Sequence, residues 1–313
     1  MMKFPRKEPT IGLALGSGGA KGLAHIGVIK VLEENSIPID FIAGTSIGAL
    51  VGGLFAAMKD SKKVEELAIT TNWRELLSLV DPSLRLGLFR AKRETRFTKW
   101  FLLGGSKMKK FIEEQIGGKS FNDLQIPFAC IATDMKKGEM VVLQKGDVSL
   151  AIRASISLPF VFKPVVYEDK NLPFGQNLSG FASRILADGG LSMPIPVPAV
   201  KAMGAQLVIA VNLDAAYFSE EREKIGLYQM SQDVLRLLRF HLSKENVKEA
   251  DLVITPKVAN VGWDKFLTSE KTRQVIQAGE GAMREALPQL NMLIKQKSKT
   301  IFQRFIIWLN QKP

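Results

Sequence analysis

Short apolar runs alternate with helical patterns over the first sixty residues of the chain. An apolar run at 11–15 leads into a glycine-rich loop and then into a helical pattern at 23–34. A second run at 41–43 leads through a Gly-x-Ser-x-Gly motif at 44–48 into an apolar helical stretch at 49–57. Buried strands that alternate with helices predict an α/β fold with a mainly parallel sheet covered by helices.

The rest of the chain continues this alternation, with glycine and proline at the boundaries. The pattern predicts a helix at 64–79, a buried strand at 121–133 paired with 140–143, and a small-residue helix from 151 that stops at Pro159. Strands are predicted at 184–187, 206–212 and 251–256, with a charged amphipathic helix at 231–250. The polar, turn-rich stretch 168–182 is expected to be a surface loop.

Two basic segments stand out from this pattern. Residues 84–118 interleave basic and bulky apolar side chains, which fits either a solvated helical face or a cap that touches anionic headgroups. The tail 291–313 lacks Asp and Glu and carries an apolar helical stripe. Such a tail can lie in a membrane interface, or dock on the protein's own core or on another copy. We expect a domain at 9–255 and a helical extension at 256–313.

Composition and charge narrow the class of protein. The chain has 313 residues, of which 46% are hydrophobic, so a large core is expected and wholesale disorder is not. The net charge of +12 favours an anionic membrane surface or a nucleic acid. We find no nucleic-acid motif, and therefore expect no nucleic-acid partner. The single cysteine, Cys130, lies in an apolar run and is expected to be a buried free thiol.

Targeting signals are not evident in the sequence. The basic start of the chain has no apolar segment behind it, so we expect no signal peptide. No apolar run reaches the ~18 residues that a membrane-spanning helix needs. These observations predict a cytoplasmic protein that can be peripheral on the inner membrane face, and they leave a homo-oligomer open.

The Gly-x-Ser-x-Gly motif is the first candidate for chemistry. Its strand–turn–helix context is typical of a nucleophile elbow, in which Ser46 stands exposed on a strained turn. Side chains at Gly44 and Gly48 would collide with the strand or the helix, which explains both glycines. A glycine-rich turn before a packed helix, without any chemistry, is the alternative interpretation of this motif.

The loop 16–22 is the second candidate. Its sequence, Gly-Ser-Gly-Gly-Ala-Lys-Gly, matches neither the Walker motif nor the dinucleotide-binding motif. It offers backbone N–H donors without side chains and one cation, which is what an oxyanion hole needs. A tight turn that binds nothing remains the alternative.

A serine nucleophile needs a base, and the two histidines of the chain are poorly placed for that role. His25 follows the glycine loop on a helix with an apolar face, and His241 lies within a charged helix. Asp188 ends an apolar strand and precedes two glycines, so it is expected among the strand ends where α/β sites lie. An ordinary Asp-Gly turn is the alternative, but the residues favour a Ser–Asp dyad.

Taken in order, loop 16–22, motif 44–48 and Asp188-Gly189-Gly190 resemble the patatin-like phospholipase family. The segment 153–165 is similar to a further family segment, and the resemblance covers about residues 9–255, closest to the small bacterial members. It implies a doubly wound, three-layer α/β/α fold and a serine acyl hydrolase that needs no metal or other cofactor.

The family's roles are carried over residue by residue. Ser46 would be the nucleophile and Asp188 the base. The N–H groups of Gly18, Gly19 and Ala20 would form the oxyanion hole, with Lys21 nearby. The expected activity is phospholipase A-like or lysophospholipase-like cleavage of lipid esters through an acyl-enzyme. The alternative is a peripheral membrane or regulatory protein with the same fold and little turnover.

Two features depart from the family pattern. Ser17 stands where many members have glycine, which would introduce strain if its φ were positive. The loop 168–182 resembles an insertion next to the segment that leads to Asp188, where it could shape substrate access or contacts between copies.

Overall fold

The computed structural model describes residues 8–76, 105–159, 161–168, 183–215, 227–258 and 268–310 of the chain. Within these ranges eight strands form one sheet. The strands are β1 (Ile11–Leu15), β2 (Phe41–Thr45), β3 (Phe128–Asp134), β4 (Glu139–Leu143), β5 (Val165–Glu168), β6 (Ser183–Asp188), β7 (Leu207–Val211) and β8 (Leu252–Ile254). The helices of the same ranges are α1 (Ala24–Glu34), α2 (Ile47–Met58), α3 (Ser61–Thr70), α4 (Trp73–Leu76), α5 (Ser106–Ile116), α6 (Val148–Ser155), α7 (Val197–Ala202), α8 (Leu227–Asn246) and α9 (Ser269–Asn310).

The sheet is mostly parallel, as predicted, with an antiparallel part at one side. Hydrogen bonds join the strands in the order β5-β6-β3-β2-β1-β7-β8, and β4 pairs with β3. The pairs from β3 through β2, β1 and β7 to β8 are parallel, whereas β4 and β6 run antiparallel to β3 and β5 runs antiparallel to β6. The expected doubly wound α/β fold is confirmed.

Strand β3 brings two strands together end to end. Thr45 of β2 lies opposite Ile131, and Asp188 of β6 lies opposite the next residue, Ala132. Strand β4 pairs with Cys130–Asp134 and therefore takes the other edge of β3. It follows that β2 and β6 approach each other head-on along one edge of β3, so that Asp188 meets the C-terminal end of β2.

Apolar side chains cover both faces of the sheet. On β1, the large side chains Ile11, Leu13 and Leu15 belong to the main core cluster, whereas Ala14 belongs to a second cluster with residues of α7. Glycine at position 12 lets α7 approach closely, because a Cβ there would lie 2.0 Å from Cγ1 of Val200. Helices therefore pack on each side of the sheet, which makes the three layers.

The C-terminal helix α9 lies against α1. A Cβ on Gly27 would lie 2.0 Å from the Ile276 carbonyl oxygen, and one on Gly279 would lie 1.9 Å from that of Ala24, so the two backbones are in close contact. Further along α9, Lys297 Nζ forms a 2.7 Å ion pair with Asp251 Oδ1. Among the residues that the structure describes, no helix has an apolar stretch long enough to cross a bilayer.

Several predicted boundaries were wrong. The helix predicted at 64–79 is two helices, α3 and α4, because Thr71 adopts an extended conformation; residues 77–79 lie outside the described ranges. The strand predicted at 121–133 begins only at 128, after a short turn closed by reciprocal hydrogen bonds of Ser120 and Asp123. The helix predicted to stop at Pro159 ends earlier, at Ser155, and begins at 148 because the Asp147 side chain caps it.

Other predictions fall partly outside the described residues. This applies to 84–104 of the predicted cap, 169–182 of the predicted loop and 311–313 of the tail. Residue 168, assigned to that loop, is the end of β5. Within the predicted cap, α5 buries Met108, Ile112 and Ile116 in the core. The division into a domain at 9–255 and an extension at 256–313 stays a prediction.

Candidate active site

The turn at Ser46 joins the end of β2 to the start of α2. Ser46 has φ 56° and ψ −122°, a backbone conformation that residues other than glycine rarely adopt. A Cβ on Gly44 would lie 2.4 Å from the carbonyl oxygen of Gly48, and one on Gly48 would lie 2.2 Å from that of Leu15. The backbone of the neighbouring elements therefore leaves room only for glycine on either side of the serine.

A second serine, Ser155, fixes the backbone of this turn through a hydrogen bond. The N–H of Ser46 donates a 2.8 Å hydrogen bond to Oγ of Ser155, whose side chain is fully buried at the C-terminal end of α6. The sequence alone does not predict this role of Ser155. No local signal reveals it, because 109 residues separate the two serines in the sequence.

Ser46 and Asp188 are in direct contact. Oγ of Ser46 donates a 2.6 Å hydrogen bond to Oδ2 of Asp188, and the two residues are 4% and 1% exposed. The other carboxylate oxygen accepts a 2.7 Å hydrogen bond from the N–H of Gly190. The head-on approach of β2 and β6 produces this contact, since it places both residues at the same level of the sheet.

The backbone of Asp188 is fixed as firmly as its side chain. Its N–H donates to the carbonyl oxygen of Ser157 at 3.0 Å, and its carbonyl accepts from Oγ1 of Thr133 at 2.9 Å. Burial raises the pKa of the Asp188 carboxyl to about 6, although hydrogen bonds from Ser46 and Gly190 and the nearby Arg239 act in the opposite direction. The carboxyl therefore titrates just below neutral pH.

Neither histidine approaches this pair. Nε2 of His25 lies 2.8 Å from the carbonyl oxygen of Gly16, and burial lowers the pKa of the ring to about 4. The ring of His241 is exposed and packs edge-on against Phe240. Among the described residues, the hydroxyl of Ser46 has its contact with a carboxylate and not with an imidazole.

The glycine loop lies between β1 and α1. Gly19 has φ 60°, and a Cβ on Gly18 would lie 2.8 Å from the side chain of Leu213, so both positions require glycine. A Cβ on Gly22 would lie 2.1 Å from Ile47, which packs the loop on the first residue of α2. Within the described part of the chain, the N–H groups of Gly18 and Gly19 have no hydrogen-bond acceptor.

Ser17 and Lys21 lie next to these glycines, and Ser17 differs from what the sequence predicts. Ser17 is not among the described residues with positive φ, so the strain considered for it is absent. Its Oγ instead lies 3.4 Å from Oδ2 of Asp214, which also accepts a 3.2 Å hydrogen bond from Nε of Arg239. Lys21 follows Ala20 in a short 3₁₀ turn and is half-buried. The sequence alone does not predict the roles of Asp214 and Arg239, because the two residues come from distant elements.

Cys130 is a buried free thiol, as predicted, and burial raises its pKa to about 12. Its Sγ lies 3.2 Å from the carbonyl oxygen of Ala151 in the core. The described ranges contain no cluster of three or more His, Cys, Asp or Glu side chains that could hold a metal ion.

The sequence around this site matches a model of a known protein family. A family model described as "Patatin-like phospholipase" matches residues 13–201, which include the glycine loop, Ser46 and Asp188. The chain belongs to the patatin-like phospholipase family. The resemblance predicted from the three motifs is thereby confirmed, and so is membership of a family of lipid ester hydrolases.

Curated proteins similar to this patatin-like chain come from bacteria, fungi and animals. An uncharacterized NTE family protein of Mycobacterium tuberculosis is 36% identical over 217 residues, which are 69% of this chain and 52% of that protein. Human patatin-like phospholipase domain-containing protein 6 is 30% identical over 205 residues, 65% of this chain and 13% of that protein. Lysophospholipase NTE1 of Mycosarcoma maydis is 32% identical over 204 residues, 65% and 10% respectively. The match thus spans about half the length of the mycobacterial relative and far less of the others.

Two solved structures are similar to this chain only at a distance. VipD of Legionella pneumophila gives a TM-score of 0.49 with 13% identity, over 91% of this chain and 67% of that protein. The type III effector ExoU gives a TM-score of 0.39 with 16% identity, over 88% of this chain and 53% of that chain.

Within the segment 153–165, Arg153 holds the loop whose backbone hydrogen-bonds to that of Asp188. Arg153 donates through Nε to the Gly105 carbonyl at 3.2 Å, through Nη1 to Oγ of Ser157 at 2.5 Å and through Nη2 to the Lys163 carbonyl at 2.9 Å. Its guanidinium also lies 5.1 Å from the ring centre of Phe162. Since the Ser157 carbonyl accepts the N–H of Asp188, Arg153 fixes the loop on which the carboxylate rests.

Proposed function

We propose that this protein is a serine acyl hydrolase that cleaves carboxylic esters of phospholipids or lysophospholipids through Ser46 and Asp188. One observation carries the proposal, the 2.6 Å hydrogen bond from Oγ of Ser46 to a buried carboxylate inside a patatin-family fold. A serine hydroxyl needs a base within hydrogen-bond reach to act as a nucleophile, and Asp188 meets this requirement.

The acylation step follows from this contact. Asp188 takes the proton of Ser46 while Oγ attacks the ester carbonyl and forms a tetrahedral intermediate with a negatively charged oxygen. The N–H groups of Gly18, Gly19 and Ala20 stabilise that oxygen. The intermediate collapses, the bond to the alcohol breaks, and Asp188 returns the proton to the departing lysolipid or glycerophosphodiester. Water, with Asp188 again as base, then hydrolyses the acyl-enzyme.

The electrostatics of the site suit this scheme. A general base works best when its pKa lies near the working pH, and burial brings the pKa of Asp188 to about 6. The N–H groups of Gly18 and Gly19, which have no acceptor among the described residues, are available for a ligand oxygen. The name of the related fungal protein, lysophospholipase, supports a lipid ester with one acyl chain as substrate.

The test is covalent labelling combined with turnover. A fluorophosphonate probe should label the wild-type protein at Ser46, and Ser46→Ala should abolish both labelling and hydrolysis of lysophosphatidylcholine. Ser243→Ala is the matched control, since that buried hydroxyl donates only to a carbonyl of its own helix. Full turnover by Ser46→Ala would refute the nucleophile. Absence of labelling in wild type would favour the alternative, a regulatory protein with the same fold.

We also propose that the enzyme works at an anionic membrane surface. The net charge of +12 and the acid-free stretch 291–313 support this location. Because Lys297 pairs with Asp251, a truncation should remove only residues 300–313. The truncated protein is expected to sediment less with phosphatidylglycerol vesicles, and equal sedimentation at low salt would contradict a membrane role for the tail.

A further inference from the structure

His25 is a buried imidazole that the proposed reaction does not use. It is the second residue of α1, close behind the glycine loop, and it is 0% exposed. Its Nε2 lies 2.8 Å from the carbonyl oxygen of Gly16, the first residue of that loop. A carbonyl oxygen only accepts hydrogen bonds, so Nε2 carries the hydrogen and donates it. Burial lowers the pKa of His25 to about 4, so at neutral pH the ring is uncharged and Nδ1 carries no hydrogen.

The second ring nitrogen of His25 makes no such contact. Nδ1 is buried and has no hydrogen-bond partner among the described residues. An unpaired polar atom in the core costs free energy, which an apolar side chain of similar size would avoid. Packing alone therefore does not explain an imidazole at this position. The hydrogen bond from Nε2 to Gly16 is what distinguishes it from an apolar residue.

The peptide group between Gly16 and Ser17 is held at both ends. Its carbonyl oxygen accepts from His25, and its N–H donates a 2.8 Å hydrogen bond to the carbonyl oxygen of Pro194. Because a peptide group is planar, these two contacts fix the orientation of the whole group. Only the two backbone rotations of Ser17 separate it from the next peptide group, whose N–H belongs to Gly18. The direction of that N–H therefore depends on the contact with His25.

The glycine loop needs a restraint from outside its own sequence. Glycine adopts more backbone conformations than other residues, so a loop with four glycines does not by itself hold its N–H groups in one direction. The Gly16 carbonyl also lies next to the turn at Ser46, since a Cβ on Gly48 would lie 2.7 Å from its oxygen. The hydrogen bond from His25 thus fixes the loop at the point where it touches the turn that carries the nucleophile.

We infer that His25 is a positioning residue that, through Gly16, directs the N–H groups of the glycine loop towards the oxyanion. It touches neither the substrate nor the reacting atoms. This inference rests on the proposed function, which it deepens by naming a residue outside the Ser–Asp dyad on which the reaction depends. Donors of an oxyanion hole act on the transition state and only when they are already in place, so loss of the restraint should lower kcat more than it changes KM.

Palmityl trifluoromethyl ketone tests the oxyanion hole directly. Oγ of Ser46 adds to the ketone carbon, the hydroxyl proton passes to Asp188, and the ketone oxygen takes the negative charge. The inhibition constant therefore reports how well the hole stabilises that charge. His25→Leu removes the donor and keeps the position apolar. It should raise the inhibition constant and lower kcat for lysophosphatidylcholine about 10- to 100-fold, while KM changes less than about twofold.

Two further variants separate positioning from stability. His25→Gln keeps an N–H donor close to the place of Nε2, and should restore most of the affinity for the ketone that His25→Leu loses. Val28→Ala removes buried methyl groups from the same helix, so it should lower stability and leave the inhibition constant unchanged. If either His25→Gln or Val28→Ala bound the ketone as weakly as His25→Leu, the hydrogen bond to Gly16 would not be what positions the loop.

Nitrogen NMR supplies a readout that needs no turnover. In the wild-type protein at pH 7, His25 should show a protonated Nε2 and an unprotonated Nδ1. The reverse tautomer would overturn the inference, because Nε2 could not then donate. In the Ser46→Ala protein, His25→Leu should shift the amide signals of Gly18 and Gly19, and His25→Gln should shift them less. Amide signals that stayed in place with His25→Leu would likewise overturn it.

These measurements distinguish failure of the inference from failure of the proposed function. If the ketone did not inhibit the wild-type protein, Ser46 would not be an activated nucleophile and the proposed function would be wrong, whereas the amide shifts would still decide whether His25 orients the loop. If the ketone inhibited wild type and His25→Leu equally well, the proposed function would stand and the role of His25 would be refuted.

Discussion

Ser46 and Asp188 reach the same point by different physical means. The turn at Ser46 is fixed by shape, because the backbone atoms of three elements occupy the space where side chains of Gly44 and Gly48 would be. Asp188 is fixed by hydrogen bonds instead, to Ser46, Gly190, Ser157 and Thr133. Strand β2, which leads to Ser46, runs parallel to its neighbours, whereas strand β6, which ends at Asp188, runs antiparallel to β3.

Substitutions at the turn around Ser46 and at Asp188 are therefore expected to have different effects. A site fixed by backbone contacts has no side chain that can move aside, so an added methyl group should disturb folding. A site fixed by hydrogen bonds tolerates an isosteric side chain, so its chemistry can be removed while the fold remains. Burial of Asp188 also reduces the stability of the folded protein, because it disfavours the charged form of the carboxyl group.

The largest effect is therefore expected from Asp188→Asn. Asparagine can accept the N–H of Gly190 and donate to Ser46, but it cannot take a proton. Hydrolysis of a lysophospholipid should fall about 10³–10⁴-fold, by analogy with the loss of a catalytic base or its orienting acid elsewhere. Initial rates under substrate saturation measure this, and a loss of less than tenfold would exclude Asp188 as the base.

The same variant should be more stable than wild type at neutral pH. The folded-state pKa of about 6 lies above the ordinary value of 3.8 for an Asp carboxyl, so the folded protein binds the Asp188 proton more tightly than the unfolded chain does. Stability from this group is therefore present below pH ~4 and lost as the pH rises through about 6. A difference of about two pKa units corresponds to about 3 kcal/mol, which Asp188→Asn should recover in urea unfolding at pH 7.5.

The next largest effect is expected at the turn around Ser46, which backbone contacts hold in place. Gly48→Ala places a Cβ 2.2 Å from the Leu15 carbonyl oxygen, and should reduce the free energy of unfolding by more than about 3 kcal/mol or prevent folding. Gly281→Ala is the control, because its Cβ meets nothing within 4 Å and it lies inside helix α9. That change should increase stability by about 1 kcal/mol. Similar effects of the two substitutions would show that the turn is not fixed by shape.

The same contrast explains what could be predicted from the sequence. The turn at Ser46 is local, so five residues and their flanking apolar runs were enough to predict a strand, a tight turn and a helix. The sequence singled out Asp188 as well, but not the antiparallel direction of its strand, because pairing depends on contacts between residues far apart in the chain. Ser155, Asp214 and Arg239 were missed for the same reason. Each acts through a contact that spans at least 25 residues.

Ser155→Ala tests one of these missed contacts. The substitution leaves the N–H of Ser46 buried without an acceptor, which should cost about 1–3 kcal/mol of stability. Because the strained turn then loses a restraint, kcat should fall about tenfold with little change in KM. Stopped assays over a range of substrate concentration separate the two constants. An unchanged kcat together with reduced stability would limit Ser155 to a structural role.

The smallest effect expected is a shift in the pH profile. A protonated Asp188 cannot accept the proton of Ser46, so kcat/KM should fall about tenfold per unit below pH 6 and reach a plateau above it. Arg239 lowers the pKa of Asp188, so Arg239→Gln should move the midpoint to higher pH by less than about one unit. His241→Gln, which changes an exposed side chain of the same helix, should leave the midpoint in place. If His241→Gln moved the midpoint and Arg239→Gln did not, the pH dependence would not come from the buried carboxylate.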